Sequence, residues 1–384
     1  MINGTVHPDF AAVATALRST LEHRRGGGGA ASVWHRGECV VDIWAGTRDR
    51  AGTPWARDTT AMSFSTTKGV VATAAHRLAD HGDLDLDAPV AQYWPEFKAA
   101  GKEDVRVANL LDHSAGMHSL RGVIDHATTL LDWDRTVDAL AAAAPRYEPG
   151  TKHGYHAVTF GFLVGEVLRR VTGLPTVDAV IQREVAEPLG LTGMSIGARG
   201  EARAHVAELL VSWPSDEMAH RFVDRMDRRG WLQPPIDAFM VDGFPEIVDS
   251  GAVYDAEMPA LNGCFTARAL AEMYSMIASG GSREGRPFLS RDAVTRAGAV
   301  RTRRRDVVLG WPMRWRLGYH MAATNRGVLP HGFGHFGLGG SGAWADPDLD
   351  LAVAMTCNRM AGTPVGDARL LKVGAAAVKA AQTR

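Results

Sequence analysis

The chain has 384 residues, 46% hydrophobic and 22% charged, with a formal net charge of -1. Such a length buries a substantial core in two packed lobes, and the composition excludes a disordered or fibrous protein. Near-neutrality removes any overall electrostatic drive toward nucleic acid or an anionic membrane surface, and no window approaches the ~18 to 20 continuous apolar residues of a membrane helix.

The N-terminus, Met1 to Pro8, has no basic segment followed by an apolar stretch, so a cytoplasmic location is the default expectation. Residues 8 to 24 place Phe10, Val13, Leu17 and Leu21 at helical spacing, and Gly26 to Gly29 stop that helix. Ala31 to His35 and Cys39 to Trp44 read as two strands joined at Arg36-Gly37-Glu38. After an irregular connection, a helix is expected from about Phe64 to His81, closed by the turn-forming run Gly82 to Pro89. Further helices are expected at Val107 to His113, Trp133 to Ala143, Thr159 to Val171 and Thr176 to Glu187.

Residues 211 to 258 carry Trp213, Met226, Trp231, Phe239, Met240 and Phe244 without clear periodicity, which suggests a packed excursion that either walls a pocket or simply covers the core. Thr266 to Ala278 resumes a helix with Thr266 as N-cap. Val307 to Gly318, Gly334 to Asp346 and Leu349 to Asn358 read as strands, the last two joined by Asp346-Pro347-Asp348, and Val365 to Ala381 as a final helix. Strands at both ends around a helical middle point to an α+β architecture: a sheet built from N- and C-terminal parts with a helical lobe inserted.

Cys39, Cys264 and Cys357 are odd in number and widely spaced, which fits free thiols and gives no metal-ligand pattern. Neither a metal nor a cofactor is expected. The basic run Arg301 to Arg305 is short and closed by Asp306, and reads as a solvated loop or strand edge rather than a phosphate site.

The chemistry concentrates at Ser65-Thr66-Thr67-Lys68. Residues three apart share a helix face, so the Ser65 hydroxyl and the Lys68 amine come within hydrogen-bonding reach. An amine in a dry site loses charge, and a neutral lysine can then accept a serine proton. The six lysines of the chain include one Ser-x-x-Lys, at Ser65 and Lys68. Two more segments can join this pair. Thr151 to Ala157 puts Tyr155 on a turn before a helix, and Phe333 to Ser341 is glycine-rich, which lets a ligand or another backbone approach closely.

Together these segments resemble the serine beta-lactamase and penicillin-binding-protein superfamily. The similarity is greatest to its class C-like branch, which includes D-Ala-D-Ala carboxypeptidases and family VIII carboxylesterases. Ser65 to Lys68 resembles the nucleophile motif, and Leu110-Leu111-Asp112-His113-Ser114-Ala115-Gly116-Met117 resembles the segment LL-x-H-T/S-S-G. Tyr155-His156-Ala157 stands where the family has Tyr-x-Asn, and His335-Phe336-Gly337 stands where it has Lys-Thr-Gly or His-Thr-Gly.

The resemblance implies one beta-lactamase-like domain, with a sheet lobe at about 1-60 and 260-384 and a helical lobe at about 61-259. It also implies acyl transfer through Ser65, with Lys68 and Tyr155 as base and acid. The oxyanion would rest on the N–H groups of Ser65 and Leu338, with His335, Phe336, Gly337 and His156 around the substrate. Two departures bear on the substrate. Ala157 lacks the amide that contacts a substrate amide, and His335 lacks the fixed charge that anchors a carboxylate. A small-molecule ester is therefore expected, with short acyl esters as substrates of a carboxylesterase. Alternatives are an acyltransferase of secondary metabolism, a beta-lactamase or D-Ala-D-Ala peptidase, and a non-catalytic binding protein on the same scaffold.

Ser341, in Gly339-Gly340-Ser341-Gly342-Ala343, partly resembles a Gly-x-Ser-x-Gly elbow but ends in Ala on a strand-like run, so it is not expected to be a nucleophile. His113 is expected as a packed helix-end residue, His156 as a pocket-lining group, and Asn262-Gly263 as a turn.

Overall fold

The computed structural model describes residues 1–22, 27–211, 233–283, 285–360 and 367–384. The first three strands, β1 (Ile2–Val6), β2 (Gly28–His35) and β3 (Glu38–Gly46), are followed by two strands of a small sheet, β4 (Ala61–Met62) and β5 (Met194–Ile196). The chain then adds β6 (Gly263–Phe265), β7 (His320–Thr324), β8 (Gly327–Phe336), β9 (Gly342–Asp346) and β10 (Leu351–Cys357). The main sheet has seven strands in the order β1-β3-β2-β10-β9-β8-β7, every neighbouring pair antiparallel. Its centre joins the two ends of the chain, where Val353 of β10 pairs with Val33 of β2.

Period-2 alternation explains how both faces are covered. On β10, Leu351, Val353, Met355 and Cys357 point into a core shared with Val13 and Leu17 of helix α1 (Ala11–Glu22) and with Leu370 and Val373 of the last helix. The intervening Ala352 and Ala354, with Ala343 and Ala345 of β9, form the other face, where small side chains let a helix lie close. That helix covers Ala267–Ala278, and Thr266 caps it by accepting from the Ala269 N–H at 3.1 Å.

The middle of the chain is helical: α2 (Thr66–His81), α3 (Val107–Leu111), α4 (Trp133–Ala142), α5 (Thr159–Thr172) and α6 (Val177–Ile181), the last running through a wide turn to Leu189. The Ala267–Ala278 helix is α7 and the C-terminal helix, Arg369–Thr383, is α8. Helix α2 is the spine of this region. Its residues from Thr66 to His76 are all buried, and Gly82 ends it at φ 84, a left-handed cap that glycine adopts without strain. The small sheet, in the order β4-β6-β5, delivers the chain into α2. Among the described residues no helix is long and apolar enough to cross a membrane. Cys264 and Cys357 are buried and Cys39 half-buried, all as free thiols.

The structure departs from the sequence reading in four places. Ile2–Val6 forms an edge strand that was not expected. Val307 to Gly318 is not a strand: Val307 to Leu309 form a turn and the rest is irregular, because the Asp306 carboxylate accepts from the Val308 and Leu309 N–H groups and curls the chain immediately. The expected strand Gly334 to Asp346 breaks into β8 and β9, with Gly339 and Gly340 at φ 85 and 99. Asn262-Gly263 is more than a turn. The buried Asn262 amide donates to the Val253 and Ala256 carbonyls at 2.8 Å and accepts from Met258 N–H at 3.0 Å, while Gly263 opens β6. The four arginines of the 301–305 run are exposed, as a solvated loop requires.

Candidate active site

Ser65 stands at the junction between β4 and α2, and the local sequence makes that junction tight. Phe64 holds φ 46, a left-handed conformation that costs about 1–3 kcal/mol outside glycine unless the surroundings over-determine it. They do so here. The Ser63 N–H donates to the Gly263 carbonyl at 2.8 Å, and the Thr67 hydroxyl donates to the Phe64 carbonyl at 2.5 Å while accepting from Gly263 N–H at 3.1 Å. Thr67 of the Ser-x-x-Lys motif is therefore structural. It clamps the strand-to-helix turn that presents Ser65.

One helical turn on, the Lys68 amine lies 3.0 Å from Ser65 Oγ, 2.7 Å from the Ala157 carbonyl and 3.1 Å from the Ala260 carbonyl. It is fully buried, and burial pushes its pKa well below the usual lysine value. The two carbonyls can only accept, so they use both N–H bonds of a neutral amine and leave its lone pair for the Ser65 hydroxyl.

On the other side the Tyr155 hydroxyl donates to Ser65 Oγ at 2.7 Å. Burial raises the phenol above its usual pKa, partly opposed by the hydrogen bond to Ser65, so it stays protonated near neutrality. The Tyr155 turn is braced from behind by the Leu110 to Met117 segment. The His113 carbonyl accepts from Gly154 N–H at 2.9 Å, and His113 Nδ1 accepts from His156 N–H at 3.2 Å. The His113 ring packs edge-on against Tyr155 and Trp315. His113 is thus the packed residue expected of it.

His156 is a correction. It is fully buried behind the turn, with Nδ1–H donating to the Gly154 carbonyl at 2.7 Å and Nε2 accepting from Met117 N–H at 3.0 Å, and it does not line the cavity. Both of its ring nitrogens are committed to backbone.

The third segment comes from β8 and the turn after it. Gly337 approaches the nucleophile turn so closely that a Cβ there would sit 2.1 Å from the Ser63 carbonyl and 2.8 Å from Thr66 Oγ1, which is the physical requirement for glycine. His335 Nδ1–H donates to the Phe336 carbonyl at 3.0 Å, which makes Nε2 a lone-pair acceptor. That atom is buried and without a partner among the described residues. Burial, with His320 and Lys68 nearby, drives His335 well below the usual histidine pKa, so the ring is neutral. His320, packed 4.6 Å from it, accepts from Phe336 N–H at 3.0 Å and is itself pushed down to about 4 by burial. No fixed positive charge therefore stands in this segment. Among the described residues neither the Ser65 nor the Leu338 N–H donates a hydrogen bond, which leaves both amides available to an incoming oxygen.

Ser65, Tyr155, His335, Phe336, Gly337 and Leu338 line one cavity of about 500 Å³. Its remaining wall is chiefly apolar, with Phe239, Leu309, Trp311, Met313, Trp315 and Met321 among the residues. Phe239 comes from the 211–258 excursion, on the short helix Gln233–Phe239, and its ring lies 5.8 Å from Tyr155. Trp213, Met226 and Trp231 lie outside the described residues. Ser341 also reaches the cavity, but its hydroxyl accepts from Cys357 N–H at 3.2 Å, and among the described residues no lysine or histidine is hydrogen-bonded to it. The Ala157 side chain is buried and apolar, and only its carbonyl enters the polar network.

Sequence reading missed Asp306, Trp315 and the 307–315 wall. Asp306 immediately before Val307-Val308-Leu309-Gly310 was the available signal for an Asx-type turn. The distance in sequence to Tyr155 hid the rest.

Comparison with known proteins shows the family of the chain. The chain is 42% identical over 371 residues to esterase/beta-lactamase LipL of Mycobacterium tuberculosis, spanning 93% of this chain and 83% of that protein. A family VIII carboxylesterase structure superposes with a TM-score of 0.88 at 35% identity, covering 99% of this chain and all (100%) of the other. A penicillin-binding-protein homologue from Caulobacter crescentus superposes with a TM-score of 0.86 at 34% identity, with coverage of 99% and 100%. The Beta-lactamase family model matches residues 13–377, and the chain belongs to that family.

Proposed function

We propose that this serine ester hydrolase cleaves carboxylic esters through an acyl-enzyme on Ser65. The observation that carries the reading is the position of Ser65 Oγ, 3.0 Å from the buried Lys68 amine and 2.7 Å from the Tyr155 hydroxyl, facing an apolar cavity.

The Ser65 proton passes to the neutral Lys68 amine as Oγ bonds the ester carbonyl carbon. The Ser65 and Leu338 amides receive the negative charge that develops on the carbonyl oxygen, which grows only in the transition state. Collapse breaks the bond to the alcohol oxygen, and Tyr155, whose phenol holds its proton, donates to the departing alkoxide. The Lys68 ammonium then gives its proton to the phenolate, so the alcohol leaves with the Tyr155 proton and the proton lost by Ser65 replaces it on the phenol. Water attacks the acyl-enzyme with the same groups in reverse roles, the acid departs, and Ser65 regains its proton.

Esters are favoured over penicillin-like or peptide substrates by what the site lacks. His335 is neutral and Ala157 supplies no side-chain amide, so neither of these two positions offers a partner to a substrate carboxylate or amide. Fluorophosphonate labelling followed by mass spectrometry tests the nucleophile: the adduct is expected on Ser65 and absent in Ser65→Ala. The same preparation should turn over p-nitrophenyl butyrate much faster than nitrocefin. Full esterase activity in Ser65→Ala would remove the nucleophile from this account, and the opposite substrate ranking would remove the argument from Ala157 and His335.

A further inference from the structure

Asp306 is 1% exposed, and among the described residues no cationic side chain lies within ion-pair distance of it. It is held instead by four N–H groups. Oδ1 accepts from Tyr155 N–H at 3.2 Å and from Val308 and Leu309 N–H at 2.8 Å, and Oδ2 accepts from the Trp315 indole N–H at 2.8 Å. Trp315 in turn stacks on the Tyr155 ring, with centroids 5.4 Å apart and planes 10° from parallel. A carboxylate buried without a counter-ion is costly, and capping the 307–309 turn alone does not require one, because Asn or Ser caps such turns at lower desolvation cost. What the charge adds is two simultaneous anchors on one phenol, at its backbone and at the ring stacked on its face.

We propose that Asp306 is a positioning residue for Tyr155: its carboxylate fixes the Tyr155 backbone and the Trp315 indole together, and thereby aims the phenol at Ser65 Oγ. This rests on the reading of Tyr155 as the proton donor to the leaving alcohol. Asp306 touches no reacting atom. Burial is the main cause that keeps the proton on Tyr155, and Asp306 adds to it: burial raises the Asp306 pKa too, its four N–H donors oppose that rise, and the negative charge they favour disfavours the phenolate.

A double-mutant cycle separates aiming from mere support of the fold. The substrate should be an alkyl ester, because an alkoxide leaving group needs the proton that p-nitrophenolate does not. Asp306→Asn keeps an acceptor for the three backbone amides but sets an NH2 against the Trp315 N–H. In the enzyme with Tyr155, kcat is expected to fall about 100-fold, the cost of a misplaced catalytic group, with KM changed less than about threefold. In a Tyr155→Phe background, itself expected to be slow by ~100- to 10,000-fold, Asp306→Asn should cost less than about twofold further, since a misaimed hydroxyl that is absent costs nothing. Asp306→Asn combined with Trp315→Phe, which removes the opposing donor and keeps a ring, should recover part of kcat.

Equal losses in both backgrounds would show that Asp306 only supports the fold and would overturn the proposal, as would a loss confined to KM. Wild-type kcat in Tyr155→Phe would overturn the reading of Tyr155 itself, and the proposal with it. If Asp306→Asn does not fold, Trp315→Phe alone runs the same cycle. It should lower kcat about tenfold with Tyr155 present and less than twofold without it, and equal factors would again overturn the proposal.

Discussion

The apolar wall of the cavity makes a quantitative demand on substrate preference. Lengthening an ester by one methylene that leaves water for a wall of Leu309, Met313 and Phe239 should gain about 0.8 kcal/mol of transition-state binding. Two methylenes, from p-nitrophenyl acetate to butyrate, then give about 1.6 kcal/mol, or roughly 15-fold in kcat/KM at 1.36 kcal/mol per decade. A cavity of about 500 Å³ is much larger than an acetyl group, since one water occupies only ~30 Å³ of liquid. The rise should therefore continue toward the hexanoate before it levels.

Which side of the ester enters this space is settled by running two series, p-nitrophenyl esters of increasing acyl length and alkyl acetates of increasing alcohol length. One series must climb by about 15-fold per two carbons while the other stays nearly flat. Met313→Trp, which fills the space, should flatten the climbing series and spare the acetate at its start. If neither series rises by even threefold per two carbons, the cavity does not hold the substrate's apolar part and this reasoning fails.

Three other perturbations test the polar half of the site. Because burial lowers the Lys68 pKa and the reaction needs the neutral amine, kcat/KM should rise with pH through that lowered value and reach a plateau well below the ordinary lysine range. Lys68→Arg cannot lose its proton, so it should be slow by about 100- to 10,000-fold at every pH, with no recovery in alkali; recovery on raising the pH would show that Lys68 is not the base. Gly337→Ala places a methyl against the Ser63 carbonyl, and the strain of overpacking should cost about 1–3 kcal/mol of stability, read as a fall in urea midpoint. Pushing the Leu338 amide and the Ser65 turn apart should also cut kcat by about 100-fold, and unchanged kcat would mean that this close approach does not matter to the reaction.

Much of the layout was legible because it follows from local chemistry. The apolar spacing of Val13 and Leu17, the Thr266 cap and the Gly82 stop each depend on neighbours within a turn or two, and all three appear where the residues place them. The Ser65, Lys68 and Tyr155 convergence was legible through motif spacing and resemblance. The strand Ile2–Val6 was not, because an edge strand with one partner exposes most of its side chains and carries little alternation. The stretch from Val307 to Gly318 looked extended because its apolar residues are many. Its conformation is set instead by one carboxylate that collects four N–H groups, two of them from Tyr155 and Trp315.

The same contrast explains why the Ser-x-x-Lys spacing alone could not fix the chemistry. Spacing brings an amine to a hydroxyl, but the amine acts as a base only if it is neutral, and neutrality depends on groups far away in sequence. Ala157 and Ala260 come from two other segments, and together their carbonyls use the two N–H bonds that a neutral Lys68 possesses. A third acceptor in place of the Ser65 hydroxyl would favour the ammonium and remove the base. Neutral histidines 113, 156 and 335 around the site add no charge that would counter this balance. The proposed base is thus a property of the assembled site, made by burial and by two carbonyls that the Ser-x-x-Lys motif does not contain.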